Sequence, residues 1–162
     1  MKNLLQSIPH DGKIEWIGRR PEKRGPVEVA RSVRLTSEEG LPGDHYSGRS
    51  GKRQVTLIQA EHLPVVAAIL RQDSVDPALT RRNIVVSGIN LLALKGHQFR
   101  IGEALLEYTG ECYPCSRMEE NFGPGGYNAM RGHGGITARV AKGGTISVGD
   151  AVALHITEAK NE

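Results

Sequence analysis

Aromatic residues are scarce in this chain of 162 residues: one Trp, two Phe and four Tyr, 4% in all. A core must therefore come from Val, Ile, Leu and Ala, and no Lys/Arg stripe interleaved with aromatics is available to read nucleic acid. Cysteine is rarer still, with two residues. The length suffices for one hydrophobic core without staples, so a single domain over residues 1–162 is expected. Nowhere do eighteen apolar residues run together, which argues against a transmembrane helix and a membrane partner. The opening "MKNLLQSIPHDGK" has too short an apolar run for a signal peptide. These absences together suggest the cytoplasm, where free or ligating thiols are expected rather than a structural disulfide. Neither sign of charge dominates: 21 Lys and Arg face 18 Asp and Glu, for a net charge of +3. That balance permits an anionic ligand without arguing for nucleic acid.

Glycine, by contrast, is plentiful, with 20 residues. Its spacing cuts the chain into short segments of strand character. The candidates are 13–20, 26–35, 53–59, 82–88, 97–102, 104–110, 136–144 and 145–156. Val27 and Val29, or Ile146 and Val148, alternate as on a half-buried strand. "IGEALLEY" and "VGDAVALH" each place Gly and an acid between β-rich runs, predicting two hairpin turns. The run "AEHLPVVAAILR" (60–71) predicts a helix, with Pro64 tolerable near its first turn. A second short helix is expected over "SRMEENF". Eight short strands with one or two short helices predict a mainly-β barrel.

Both cysteines lie in "TGECYPCSRMEE" (109–120). A thioredoxin-type C-x-x-C should open a long helix in a β/α pattern, and the surroundings here are Gly-rich and mainly β. A structural zinc site needs four ligands, but the histidines are scattered with no H-x₃₋₅-H pair. Two inert buried thiols are the plainer alternative, opposed by the polar neighbours Glu111, Ser116, Arg117, Glu119 and Glu120. The remaining reading is a reactive or metal-binding thiolate. Cys115 suits it better than Cys112, since it follows Pro114, precedes a possible helix start and has Arg117 two positions on. A thiolate is a soft ligand, fitted to thiophilic metals or to carrying sulfur.

Two basic clusters stand at strand mouths: Arg53 beside Gln54, and Arg81 and Arg82 beside Asn83. Arg with amides suits a phosphate through bidentate hydrogen bonds, though each cluster taken alone also reads as a solvated strand end. "LPGDHYSGRSG" (41–51) is a turn-rich loop in which Asp44 can orient His45 at a site rim. "GPGGYNAMRGHGGITARV" (123–140) has glycines enough for close backbone approach to a ligand. It lacks the strand–turn–helix context of a nucleotide loop.

Together these segments resemble the MOSC domain, named for the C-terminal part of molybdenum-cofactor sulfurase. The similarity runs from "GLPGDHYSGRSGKRQVTLIQAEHL" through "RRNIVVSGINLLALKGHQFRIGEALLEYTGECYPCSRME" to "GGITARVAKGGTISVGDAV". The resemblance implies a stand-alone β-barrel with its core over about 26–156. It also implies binding of molybdenum cofactor (molybdopterin), with Cys115 matching the family's signature cysteine as molybdenum ligand. Arg53, Gln54, Arg81, Arg82, Asn83, Arg117 and His45 are the expected cofactor-binding residues. In the amidoxime-reducing relatives the reaction is reduction of N-hydroxylated compounds with electrons from partner proteins. Here it implies a small-molecule substrate and an external electron-donor protein. The alternative is a non-catalytic carrier of cofactor or of sulfur as a persulfide; an association with pyridoxal phosphate exists only at the level of the domain family.

Overall fold

The structure, a computed structural model, describes residues 2–45 and 51–156. The tip of the 41–51 loop, singled out above, therefore lies outside the described residues. In chain order the elements are α1 (Lys2–Leu5), β1 (Gly12–Arg19), β2 (Glu28–Ala30), β3 (Ser32–Leu35), β4 (Val55–Gln59) and α2 (His62–Leu70). After these come β5 (Ile84–Ser87), β6 (Gln98–Ile101), β7 (Ala104–Glu111), α3 (Ser116–Phe122), α4 (Gly126–Met130), β8 (Ile136–Lys142), β9 (Gly144–Ser147) and β10 (Ala151–His155). Two 3₁₀ turns, Pro77–Thr80 and Leu91–Leu94, flank β5.

Seven strands close on themselves in the order β1, β5, β4, β8, β7, β6, β10. Closure comes from the start of β1, where Gly12 pairs with Val152 and Lys13 with Ala151. Further along the same edge of β1, Ile17 to Arg19 pair with β2 instead. All contacts around the barrel are antiparallel except β4 with β5, which are parallel. Parallel neighbours need a crossover, and α2 lies in the chain between them.

Alternation puts apolar residues of β4 and β5 on both faces of the sheet. Val55 and Leu57 of β4, with Ile84 and Val86 of β5, point into the barrel among Ile14, Phe99 and Leu106. Ile58 and Val85 point outward and are covered by Val66 of α2, Met118 of α3 and Met130 of α4. A strand apolar on both faces is what a sheet buried on both sides requires. Each such fully buried side chain contributes about 1.5–3 kcal/mol. This second, helix-side core fixes α3, and with it the cysteine turn.

The mainly-β barrel expected from the sequence is the fold, in one compact unit with four short α-helices among the described residues where one or two were expected. The run 26–35 is two strands, β2 and β3, which pair with different partners. The Gly102 turn joins β6 to β7 as a hairpin. The Gly149–Asp150 turn does not: β9 pairs with β3 and β10 with β6 and β1, so the chain changes sheets there. Asp150 closes that turn by accepting the Ser147 N–H at 2.8 Å. No helix among the described residues is long and apolar enough to cross a membrane.

Candidate functional site

The cysteine turn starts where β7 runs out. Cys112 is buried and its N–H donates to the Gly135 carbonyl at 2.8 Å, extending the β7–β8 pairing by one bond. Tyr113 then swings out, 70% exposed, ahead of Pro114. Cys115 is extended (φ −124°, ψ 177°) and exposed, and its carbonyl accepts the Met118 N–H at 2.9 Å. Because Met118 and Phe122 are buried in the helix-side core, α3 has one seating, and Cys115 is held at its start. The two thiols are thus separated in environment: Cys112 belongs to the barrel wall and Cys115 to the surface.

Arg82 holds this turn from below. Its side chain is buried, with Nε donating to Gly134 O at 2.7 Å and Nη1 to Thr80 O at 3.0 Å. Nη2 reaches the carbonyls of Cys112 and Tyr113, each at 3.4 Å. Burial pushes its pKa down, and the nearby Cys112 and Cys115 thiols act against that shift. The Gly134–Gly135 pair allows the approach. A Cβ on Gly134 would lie 2.1 Å from Cys112 O, and one on Gly135, where φ is +87°, 1.9 Å from Leu57 O. The glycines thus bring backbone against the protein's own backbone.

Asn83 sits at the centre of a buried network. Its Oδ1 accepts from Thr56 N, Thr56 Oγ1 and Arg20 Nη2, at 3.0 to 3.2 Å. Its Nδ2 donates to Gly18 O and to Asp44 Oδ1, both at 3.1 Å. Arg20 and Asp44 form a fork-to-carboxylate pair, with Nε–Oδ1 at 3.1 Å and Nη2–Oδ2 at 3.0 Å. Their side chains are 3% and 0% exposed. Gln54 is buried likewise, donating to Ser37 O and accepting the Val140 N–H at 2.8 Å. His45 places both its N–H and its Nδ1 against Arg20 O, at 2.7 and 3.1 Å, and burial leads the causes holding its pKa below the usual value. Asp44 therefore anchors Arg20, a residue the sequence reading did not single out. Nothing in "GRRPEK" separates a buried arginine from the solvated ones beside it.

Arg81 and Arg117 face the opposite flank of the cysteine turn. Arg81 has a left-handed backbone (φ 60°, ψ 25°) that ends the 3₁₀ turn before β5. Its guanidinium gathers the carbonyls of Gly25 at 2.5 Å and of Glu22 and Lys23 at 3.1 Å. Arg117 Nη1 donates to the same Lys23 carbonyl. Burial, then the positive charges of Arg117 and Arg20, lowers the Arg81 pKa, with Asp44 and the Cys115 thiol opposing. Arg53, half-buried, contributes to the positive field at Arg82. Cys115 thus stands within the combined field of Arg81 and Arg82.

On the Cys112 side a narrow cleft opens between the turn, β4 and the loop after α4, lined by Gln59, His62, Asn90, Glu111, Cys112 and Tyr113. His62 touches His133 there, Nδ1 to Nδ1 at 3.3 Å. Both are among the scattered histidines of the sequence, and their pairing was hidden there because 71 positions separate them. Among the described residues no three His, Cys, Asp or Glu side chains converge as metal ligands. A metal that arrives already ligated by an organic carrier needs only one protein donor, and the exposed Cys115 thiol fits that role.

The MOSC domain model matches residues 33–153. Among solved structures, the YUAD protein from Bacillus subtilis is similar at 20% identity and TM-score 0.79, over 92% of this chain and 98% of that one. YiiM from Escherichia coli is similar at 21% identity and TM-score 0.69, covering 94% and 73% of the two chains. YiiM from Geobacillus stearothermophilus gives 17% identity and TM-score 0.72, over 90% and 75%. At these identities the likeness is one of fold. No curated protein matches the chain. Since the domain model spans well over half of the sequence and the barrel recurs in these structures, the chain belongs to the MOSC family, known for binding molybdenum cofactor.

Proposed function

We propose that this protein binds molybdenum cofactor with Cys115 as the protein ligand to the metal, and reduces N-hydroxylated compounds using electrons from a partner protein. The observation that carries the reading is the contrast between the cysteines: Cys112 is buried in the wall, while Cys115 is exposed at a fixed helix start beside Arg81 and Arg82. Sulfur is a soft donor, suited to a thiophilic metal. The bound cofactor would supply a metal centre able to accept oxygen from an N–O bond.

The chain's own residues divide the remaining work. Arg117 and Arg53 supply the cationic rim that receives a phosphate, with the charge of Arg81 behind them. Arg81 itself spends its Nη groups on the Gly25, Glu22 and Lys23 carbonyls. His45, held on Arg20 O, stands beside that rim through the Arg20–Asp44 pair. Arg82, Asn83 and Gln54 spend their polar atoms on neighbouring protein groups and act as positioning residues. Converting an N–OH to an N–H and water consumes electrons and protons, so the partner is part of the reaction.

The experiment compares wild type, Cys115→Ser and Cys112→Ser, each produced in a host that makes the cofactor. Bound molybdenum and turnover of an amidoxime are measured side by side. Loss of both at Cys115→Ser alone supports the reading. Molybdenum without turnover in the wild type makes the protein a carrier. Equal losses in the two variants refute the single-thiolate assignment.

A further inference from the structure

His62 and His133 come from distant parts of the chain, yet each is rigidly supported. His62 opens α2 directly after Glu61, whose carboxylate accepts from Gln59 Nε2 at 2.6 Å and from the Gly88 N–H at 2.9 Å. The His133 N–H donates to Met130 O at 2.8 Å. The following Gly134 and Gly135 are pinned through their carbonyls by Arg82 and by the Cys112 N–H. The rings stand edge to face, 84° apart with centroids at 4.8 Å, and bring Nδ1 to within 3.3 Å of Nδ1. Two imidazole nitrogens at about 2.0–2.1 Å from a tetrahedral zinc ion lie roughly 3.3 Å apart, the same spacing.

We propose that His62 and His133 form a two-histidine clip for a divalent transition ion, zinc being the probe, at the mouth of the cleft beside Cys112. Without an ion the spacing suits one shared proton; a metal takes that proton's place between the lone pairs. Burial and the neighbouring His133 hold the His62 pKa down, which favours the neutral ring that ligates metal. With no third ligating side chain converging among the described residues, the ion keeps open positions toward the cleft and exchanges with solvent, unlike a closed structural site. This site is separate from Cys115 and does not depend on the cofactor reading.

The test uses Cys115→Ser protein, which removes the exposed thiol as a competing ligand, and titrates it with zinc chloride by calorimetry. One ion per chain is expected, with His62→Gln and His133→Asn each weakening binding at least about ten-fold. Without any histidine substitution, lowering the pH from about 7.5 to about 5.5 should weaken zinc at least about ten-fold, because protons compete for both nitrogens. That arm stands even if a histidine variant fails to fold. No saturable binding, zinc affinity that is flat with pH, or a folded variant of either histidine that binds as tightly as its parent overturns the proposal.

Discussion

Arg82 donates from Nε to the Gly134 carbonyl at 2.7 Å and so ties the loop before β8 to the strand that begins at Ile84. The same guanidinium reaches Thr80, Cys112 and Tyr113. Replacing it with Ala strands several carbonyls in a buried place. Arg82→Ala is expected to destabilise the fold by about 2–4 kcal/mol. Lys cannot reproduce the planar fork, so Arg82→Lys should recover only part of the loss. Urea denaturation checks both; wild-type midpoints in the two variants would contradict the cross-link.

The Arg20–Asp44 pair predicts a second large effect. Removing one partner leaves the other charge buried and uncompensated, and Asp44→Ala should cost about 3–5 kcal/mol. Replacing both by apolar residues of similar volume should cost less than the two single changes added together. A double-mutant cycle measures this coupling, and strict additivity would count against it.

Arg117 separates binding from folding. Its side chain lies at the cationic rim and its nearest carboxylate, Glu120, is 3.9 Å away. Arg117→Ala should weaken cofactor binding by about 1.5–3 kcal/mol, the range of a charge-assisted hydrogen bond. Stability should fall by only about 1 kcal/mol, the worth of its bond to the Lys23 carbonyl. Cofactor affinity equal to wild type would remove Arg117 from the phosphate site.

The cysteines should differ chemically even without a cofactor. Iodoacetamide is expected to label Cys115 quickly in the native protein and Cys112 only once the chain unfolds. Mass spectrometry would find one modified thiol in buffer and two in denaturant. Comparable native labelling of both sites would mean that the wall around Cys112 opens readily.

Acid should weaken the fold through His62. Its folded pKa is depressed by burial and by His133, so below about pH 6.5 the unfolded chain binds more protons. The histidine's contribution is therefore complete above that pH and is lost as the pH falls through the folded value. His62→Gln should show a shallower loss of stability between about pH 6.5 and 5 than wild type. Superimposable pH profiles would refute the assignment.

The barrel was legible because alternation and glycine punctuation are local, and "RRNIVVSG" and "TISVGDAV" each carry their own strand pattern. The place of Cys115 at a helix start was legible for the same reason, its Pro and the helix-forming run being adjacent in sequence. Arg20 was not, because what makes it part of the frame is Asp44 and Asn83, brought close only by folding. The Gly149–Asp150 turn misled because a local turn signal does not say whether the next strand returns to its predecessor or joins another sheet.

The pairing of Gly12 with Val152 has a consequence for synthesis. A chain emerging from the ribosome can build the β6–β7 hairpin early, yet β1 waits for β10, the last strand among the described residues. Until then the partial sheet presents strand edges open to neighbouring nascent chains. Pairings this distant in sequence also make slow folding the expectation. Premature termination before residue 151 would therefore release an aggregation-prone open sheet in place of a shortened barrel.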